Sequence, residues 1–185
     1  TVPANFSHEA RDATMQAAQA AGLSTKHIIN EPTAAALYYA HQQGDALHGV
    51  YAVYDLGGGT FDVSIIQVDG EDVEVLASNG IGKLGGDDFD GALQELVKAQ
   101  FKKITSAALN DNDYTRFAAE KDKISLSRRQ SVKTRTKGEN IEITRSMFEQ
   151  SISTMIAQTE MICESTIMEA GISADAIKSV FLAGG

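Results

Sequence analysis

The chain has 185 residues and carries 16 Lys and Arg against 25 Asp and Glu, a formal net charge of −9. That length fits one domain or two small lobes, and 43% apolar residues with 16 glycines is an ordinary globular composition that gives no hint of disorder. The acidic balance argues against a nucleic-acid binder, and no apolar run is long enough to span a membrane.

A single cysteine, Cys163, fits a reducing compartment, and the four histidines show no zinc-ligand spacing. No charged-then-apolar leader opens the chain. Thr1-Val2-Pro3 reads as a strand end, and Val180–Gly185 as a strand stopping at a turn; the expectation is a piece of a longer protein.

In chain order, Ser7 caps a helix over 7–21 that Gly22 ends. Lys26–Asn30 reads as a short buried strand. Pro32 suits a first helical turn, so Glu31 is expected as the N-cap of a helix running to about His41. The period then changes: Val50–Asp55, Phe61–Val68 and Val73–Ala77 read as an antiparallel meander, with Gly57-Gly58-Gly59 and Asp69-Gly70 at its turns. Helices are expected over Asp87–Ile104 and Tyr114–Ser127, and a hairpin over Val132–Thr136 and Asn140–Ile143. Thr144 caps a long helix to about Ala170, closed by Gly171, and a last strand starts at Lys178. Cys163 falls at an apolar phase of that helix and reads as a small core residue.

The chemistry concentrates in Asp55-Leu56-Gly57-Gly58-Gly59-Thr60-Phe61-Asp62. A P-loop would pass from strand to helix and carry Gly-Lys-Ser/Thr, and this segment does neither. Three glycines let the backbone turn sharply and bring successive N–H groups near a phosphate. Asp55 and Asp62 stand at opposite ends of the turn, where magnesium and its waters could sit, and Thr60 adds a hydroxyl. A plain glycine hairpin is the bland alternative; the two acids and the threonine favour phosphate.

These segments resemble the 70-kDa heat-shock chaperones. The resemblance is carried by Val2–Phe6, Asn30–Leu37, Asp55–Ile65 and Leu84-Gly85-Gly86-Asp87-Asp88-Phe89-Asp90, in that family's order, and by Phe181–Gly185. It implies the α/β actin-like ATPase fold, related to ribonuclease H, with lobe II and a fragment of lobe I. Residues 1–46 would end the base of lobe I, 47–85 and 161–185 would form the base of lobe II, and 86–160 a smaller upper subdomain. The segment from Asp87 to Glu139 looks shortened, as in the iron–sulfur-assembly members.

The resemblance also implies site roles. Asp55, Gly57, Gly58, Gly59 and Thr60 look like the second phosphate loop, which holds the β- and γ-phosphates of ATP. Glu31 looks like the carboxylate that orients magnesium-bound water and couples the site to a neighbouring domain, with Pro3 as its switch partner; helix capping becomes an added duty. Glu31, Asp55 and Thr60 would be catalytic, Glu31 and Asp55 would serve magnesium, and Asp62 resembles a residue beside a potassium ion. Gly86 would touch the phosphate end, and Gly184 and Gly185 the ribose and α-phosphate. Glu120, Lys123 and Ser127 share one helix face at i, i+3 and i+7. On the residues alone that is a solvated face; in the resembled family it meets the adenosine, acid and lysine at the ribose and serine at the base. Ile124 stands where some relatives present a basic side chain over the adenine, which weakens stacking there.

The function implied is the nucleotide-binding part of a cytoplasmic or bacterial-type organellar chaperone. ATP hydrolysis would gate polypeptide binding in a separate domain, and this piece alone would be inactive. Its partners would be a J-domain co-chaperone, a nucleotide exchange factor and client polypeptides. An actin-like sugar or acid kinase and a non-catalytic nucleotide sensor are the alternatives. The hairpin region 128–145 carries Arg128, Arg129, Lys133, Arg135, Lys137 and Arg145 against Glu139 and Glu142, a local +4. Its alternating Lys133, Arg135 and Lys137 read as edge protection, with partner docking as the functional alternative.

Overall fold

A computed structural model describes residues 1–43 and 46–184. Twelve residues past the amino terminus of α1 (His8–Ala20) the chain leaves that helix, which Ser7 caps by accepting from the Ala10 N–H at 3.3 Å. It then enters α2 (Glu31–Gln43) after an irregular connection. Strands β1 (His48–Leu56), β2 (Phe61–Asp69) and β3 (Asp72–Ile81) follow as the expected meander, each somewhat longer than the sequence pattern indicates.

Next come α3 (Gly86–Thr105), α4 (Arg116–Leu126), the hairpin β4 (Ser131–Thr136) and β5 (Glu139–Thr144), the long α5 (Arg145–Glu169), and β6 (Ile177–Gly184). Thr115 and Thr144 cap α4 and α5 by accepting from Ala118 and Met147 N–H groups. Gly171 takes a left-handed φ of 69° just beyond α5.

The four-stranded sheet has the order β3-β2-β1-β6, antiparallel except where β6 joins β1 in parallel. Alternation along the strands sends side chains to two faces, each with its own core. One face meets α2: Tyr51, Val53, Ile66, Val68 and Phe181 pack with Ala36. Here Phe181 stacks between Tyr39 of α2 at 4.4 Å and Tyr51 of β1 at 5.0 Å, ring centre to ring centre. The Tyr39 hydroxyl also donates to the Leu182 carbonyl.

The other face carries the larger core, in which Phe61 and Val63 join Leu93 and Val97 of α3, Leu126 of α4, and Ile141 and Ile143 of the hairpin. Along the sheet α5 is held partly by polar links: Tyr54 donates to Thr159 at 3.0 Å, and Asn79 donates to Thr166 and Glu169.

Two local expectations are corrected. Lys26–Asn30 forms no strand and is not buried; a single parallel bridge joins Asn30 to Val2. The bridge goes no further because Val2 has already bonded Ile29 and Glu31, the chain turns at Ala4 and Asn5 on one side, and α2 begins at Glu31 on the other. Glu31 is the first helical residue rather than the cap, because the Asn30 carbonyl accepts the first helical bond, from Ala34 at 3.0 Å. The Asn30 side chain is instead taken by Arg11 at 2.8 Å.

Candidate functional site: a glycine turn, three carboxylates and a groove

The β1–β2 connection closes with the Gly57 N–H donating to the Thr60 carbonyl at 2.9 Å. Its carbonyls face the start of α3: Gly86 N–H donates to Gly57 O at 2.9 Å and Asp87 N–H to Gly58 O at 2.8 Å. The turn is thereby docked on a helix N-terminus, with Gly58, Gly59 and Thr60 exposed at its tip. Among the described residues, none accepts from the N–H groups of Gly58, Gly59 and Thr60, so the tip presents donors outward.

The docking demands glycine at 85. A Cβ there would overlap the Gly58 carbonyl and come within 2.7 Å of the Gly59 nitrogen. Gly184 is constrained in the same way, with φ of 95° and backbone contact to the Leu56 carbonyl, and it abuts Asp55.

Behind the turn, Asp55 and Asp62 are directly opposed across the β1–β2 ladder. Like charges so placed are destabilising. Burial raises the Asp55 carboxyl above its ordinary range. Asp62 is raised by burial and then by Asp55, with the Thr60 hydroxyl and Asn5 amide pulling the other way. Glu31, brought up by the first turn of α2, is raised by burial and then by both aspartates. Pro3, Glu31, Asp55 and Asp62, with Ser64 and Ser78 behind them, line a space of about 10 Å³, the room of a single water.

This donor set fits a hard cation. Magnesium keeps several waters and is held through one or two carboxylates, and here three carboxylates line one small space. Among the described residues no group of three or more His, Cys, Asp or Glu could ligate a metal directly, so magnesium would be held partly through water.

The adenosine-facing expectations separate. Lys123 and Ser127 line an open groove of about 270 Å³ between α4 and the start of α5, together with Leu126, Arg145, Phe148 and Glu149. Glu120 points to solvent and is not part of that lining. Ile124 is 56% exposed beside it.

Lys123 is already engaged: its ammonium donates to the Gly86 carbonyl at 3.0 Å and lies 2.8 Å from Asp90. Gly86 therefore spends both backbone groups on positioning, its N–H on the turn and its carbonyl on Lys123. Gly185 lies outside the described residues.

Sequence reasoning missed Asp90, Arg145 and Phe148. The register of α4 against α3 and α5 brings them to the site, and no spacing rule encodes it. The basic row of the hairpin is also reduced. Lys133 and Arg135 are exposed on β4, but Lys137 sits in the turn at φ 46° and pairs with Asp113 at 2.7 Å.

A family model described as Hsp70 protein matches residues 1–185, which sets the fold as the α/β actin-like ATPase class. The chain is 41% identical over 199 residues to the mitochondrial heat shock 70 kDa protein of Pisum sativum, covering 100% of this chain and 29% of that protein. It is 40% identical over 191 residues to chaperone protein HscA of Pectobacterium carotovorum subsp. carotovorum (strain PC1), covering 100% of this chain and 30% of that protein. The chain belongs to the Hsp70 family, and it spans less than a third of the length of these relatives.

Proposed function

We propose that this chain is the part of a chaperone ATPase that holds the β- and γ-phosphates of ATP and senses their hydrolysis. The observation that carries the reading is the glycine turn docked on α3, with its free N–H groups outward and three carboxylates behind it whose charged forms burial disfavours. Backbone donors in a fixed turn favour an anion without reorganising.

Gly57, Gly58, Gly59 and Thr60 cradle the phosphates, while Asp55 and Glu31 hold magnesium through water. A magnesium ion held there would supply charge neutralisation to the phosphates. Asp62 would serve a monovalent cation, potassium being the proposed one. Catalysis consists of positioning and charge compensation around a water nucleophile, with no covalent intermediate. Lys123 and Ser127 face the adenosine across the groove, Gly184 approaches the ribose and α-phosphate, and Glu120 reaches the ribose after a rotamer change.

In the whole protein, hydrolysis would gate polypeptide binding by a separate domain. A J-domain co-chaperone would stimulate hydrolysis, and a nucleotide exchange factor would release ADP. The expected setting is the cytoplasm or an organelle of bacterial type. The 185-residue chain alone is expected to turn over ATP far more slowly than the whole protein.

Peptide-stimulated ATP hydrolysis and ATP-driven peptide release, measured on the full-length protein, test the reading. Thr60→Ala is expected to lower hydrolysis about 10- to 100-fold with the fold intact, since only a hydroxyl worth about 1–3 kcal/mol is lost. Glu31→Ala should leave ATP binding in place but uncouple it from peptide release. Normal release with normal hydrolysis in either variant removes that residue's role. Nucleotide binding without any stimulated turnover favours the sensor alternative.

A further inference from the structure

Asp90 is a carboxylate where the fold gives no ordinary reason for one. Asp87 and Asp88 already supply negative charge to the first turn of α3 from more accessible positions. The Asp90 side chain is only 8% exposed, inside the contact between α3 and α4. Its Oδ1 lies 2.8 Å from the Lys123 ammonium, yet that oxygen has no aligned hydrogen bond among the described residues. The contact is one of charge. The aligned donor of Lys123 goes to the Gly86 carbonyl at 3.0 Å. A buried carboxylate that compensates a cation without claiming its hydrogen bond leaves the cation's donors for others.

We infer that Asp90 is a positioning residue for nucleotide: it seats the Lys123 ammonium on the Gly86 carbonyl, beside the phosphate turn and at the mouth of the groove. Contacts run from Asp90 to Lys123, from Lys123 to Gly86 O, and from Gly86 N–H to Gly57 O in the turn. The helix that faces the groove and the turn that faces the phosphates are thereby held in one register. With one donor on Gly86 and no aligned bond to Asp90, Lys123 keeps N–H donors for a ligand hydroxyl.

Gly86 is small for the same reason, since a Cβ there would lie 3.2 Å from the ammonium. The inference rests on the reading that the groove takes the adenosine moiety. It adds a residue that touches no ligand.

The test is equilibrium binding of ADP and of 2′,3′-dideoxy-ADP to the full-length protein, comparing the parent with Asp90→Asn, Lys123→Met and the double variant. The parent is expected to prefer ADP. Asp90→Asn should weaken ADP binding about tenfold and erase the preference for the hydroxyl-bearing ribose, an effect that a general loss of stability does not produce. The double variant should bind no worse than Lys123→Met alone, because Asp90 acts only through Lys123.

Retained ribose preference in Asp90→Asn, with loss in Lys123→Met, overturns the inference and spares the adenosine reading. Multiplicative losses in the double variant overturn it too. Retained preference in Lys123→Met overturns the adenosine reading of Lys123 and the inference with it. Gly86→Ala crowds the same ammonium without disturbing a buried charge, so it decides the matter if Asp90→Asn does not fold. Its ribose preference should fall at least twofold, and an unchanged preference counts against the seating.

Discussion

The glycine turn and the carboxylate cluster lie within a few residues of each other and are built on opposite terms. In the turn, the inward carbonyls of Gly57, Gly58 and Thr60 each have a backbone donor, and the geometry is complete without a ligand. In the cluster, Asp55 and Asp62 oppose each other in register, Glu31 is brought against both, and burial raises all three carboxyls. The first region is a template held by backbone, and the second brings like charges together out of water. Under the proposed function, preorganisation and dependence on a metal would fall to different residues of one site.

The contrast breaks most strongly at Gly85. Gly85→Ala forces a Cβ into the Gly58 backbone and is expected to cost about 3 kcal/mol. Gly59→Ala meets nothing within 4 Å and should stay within about 0.5 kcal/mol of the parent. Urea midpoints of the two variants measure the difference, and equal midpoints would mean that the turn does not depend on its seat against α3.

The cluster is sharpened by pH. A carboxyl whose folded-state pKa is raised contributes stability that is fully present below its unfolded value, about 4, and is lost as pH rises through the folded value. Asp62→Asn removes one of the repelling charges. It should therefore be more stable than the parent at pH 7 and should lose that advantage below about pH 4. Denaturation midpoints across that range read the effect. A variant less stable than the parent at pH 7 would show that the cluster is not under repulsion.

The smallest expected effect lies on the hairpin, far from either region. Lys133→Glu with Arg135→Glu should slow partner-stimulated ADP release about two- to threefold at low salt and leave unstimulated release unchanged. Equal stimulation of variant and parent leaves these side chains only the role of protecting an edge. Lys133 already lies 3.7 Å from Glu142, which lowers the charge available to a partner.

The turn was readable in the sequence because three glycines interrupt two alternating apolar runs, and local pattern suffices for a local structure. The opposition of Asp55 and Asp62 follows from that hairpin. The links from Asp90 to Lys123 and from Ser127 to Arg145 and Phe148 were not readable, because they depend on how helices distant in sequence are set against each other. Lys26–Asn30 misled for the complementary reason. It has strand composition, but a strand needs an extended neighbour along its length, and the chain beside it turns away at Ala4 and Asn5. Glu31 was one residue out because a proline fixes where a helix may begin without fixing which residue closes the first bond.

The three-ring stack of Tyr39, Phe181 and Tyr51 has an optical consequence. The chain contains no tryptophan and five tyrosines, so its near-ultraviolet signal is a tyrosine signal. Two of the five are in that stack, where α2 rides on the sheet, while Tyr54 reports α5 through Thr159 and Tyr114 reports α4 through Asp122. Sliding of α2, which carries Glu31 at its other end, would change the overlap of two parallel rings. The molecule thus carries its own chromophore at the joint between the helix that begins with Glu31 and the sheet that holds it.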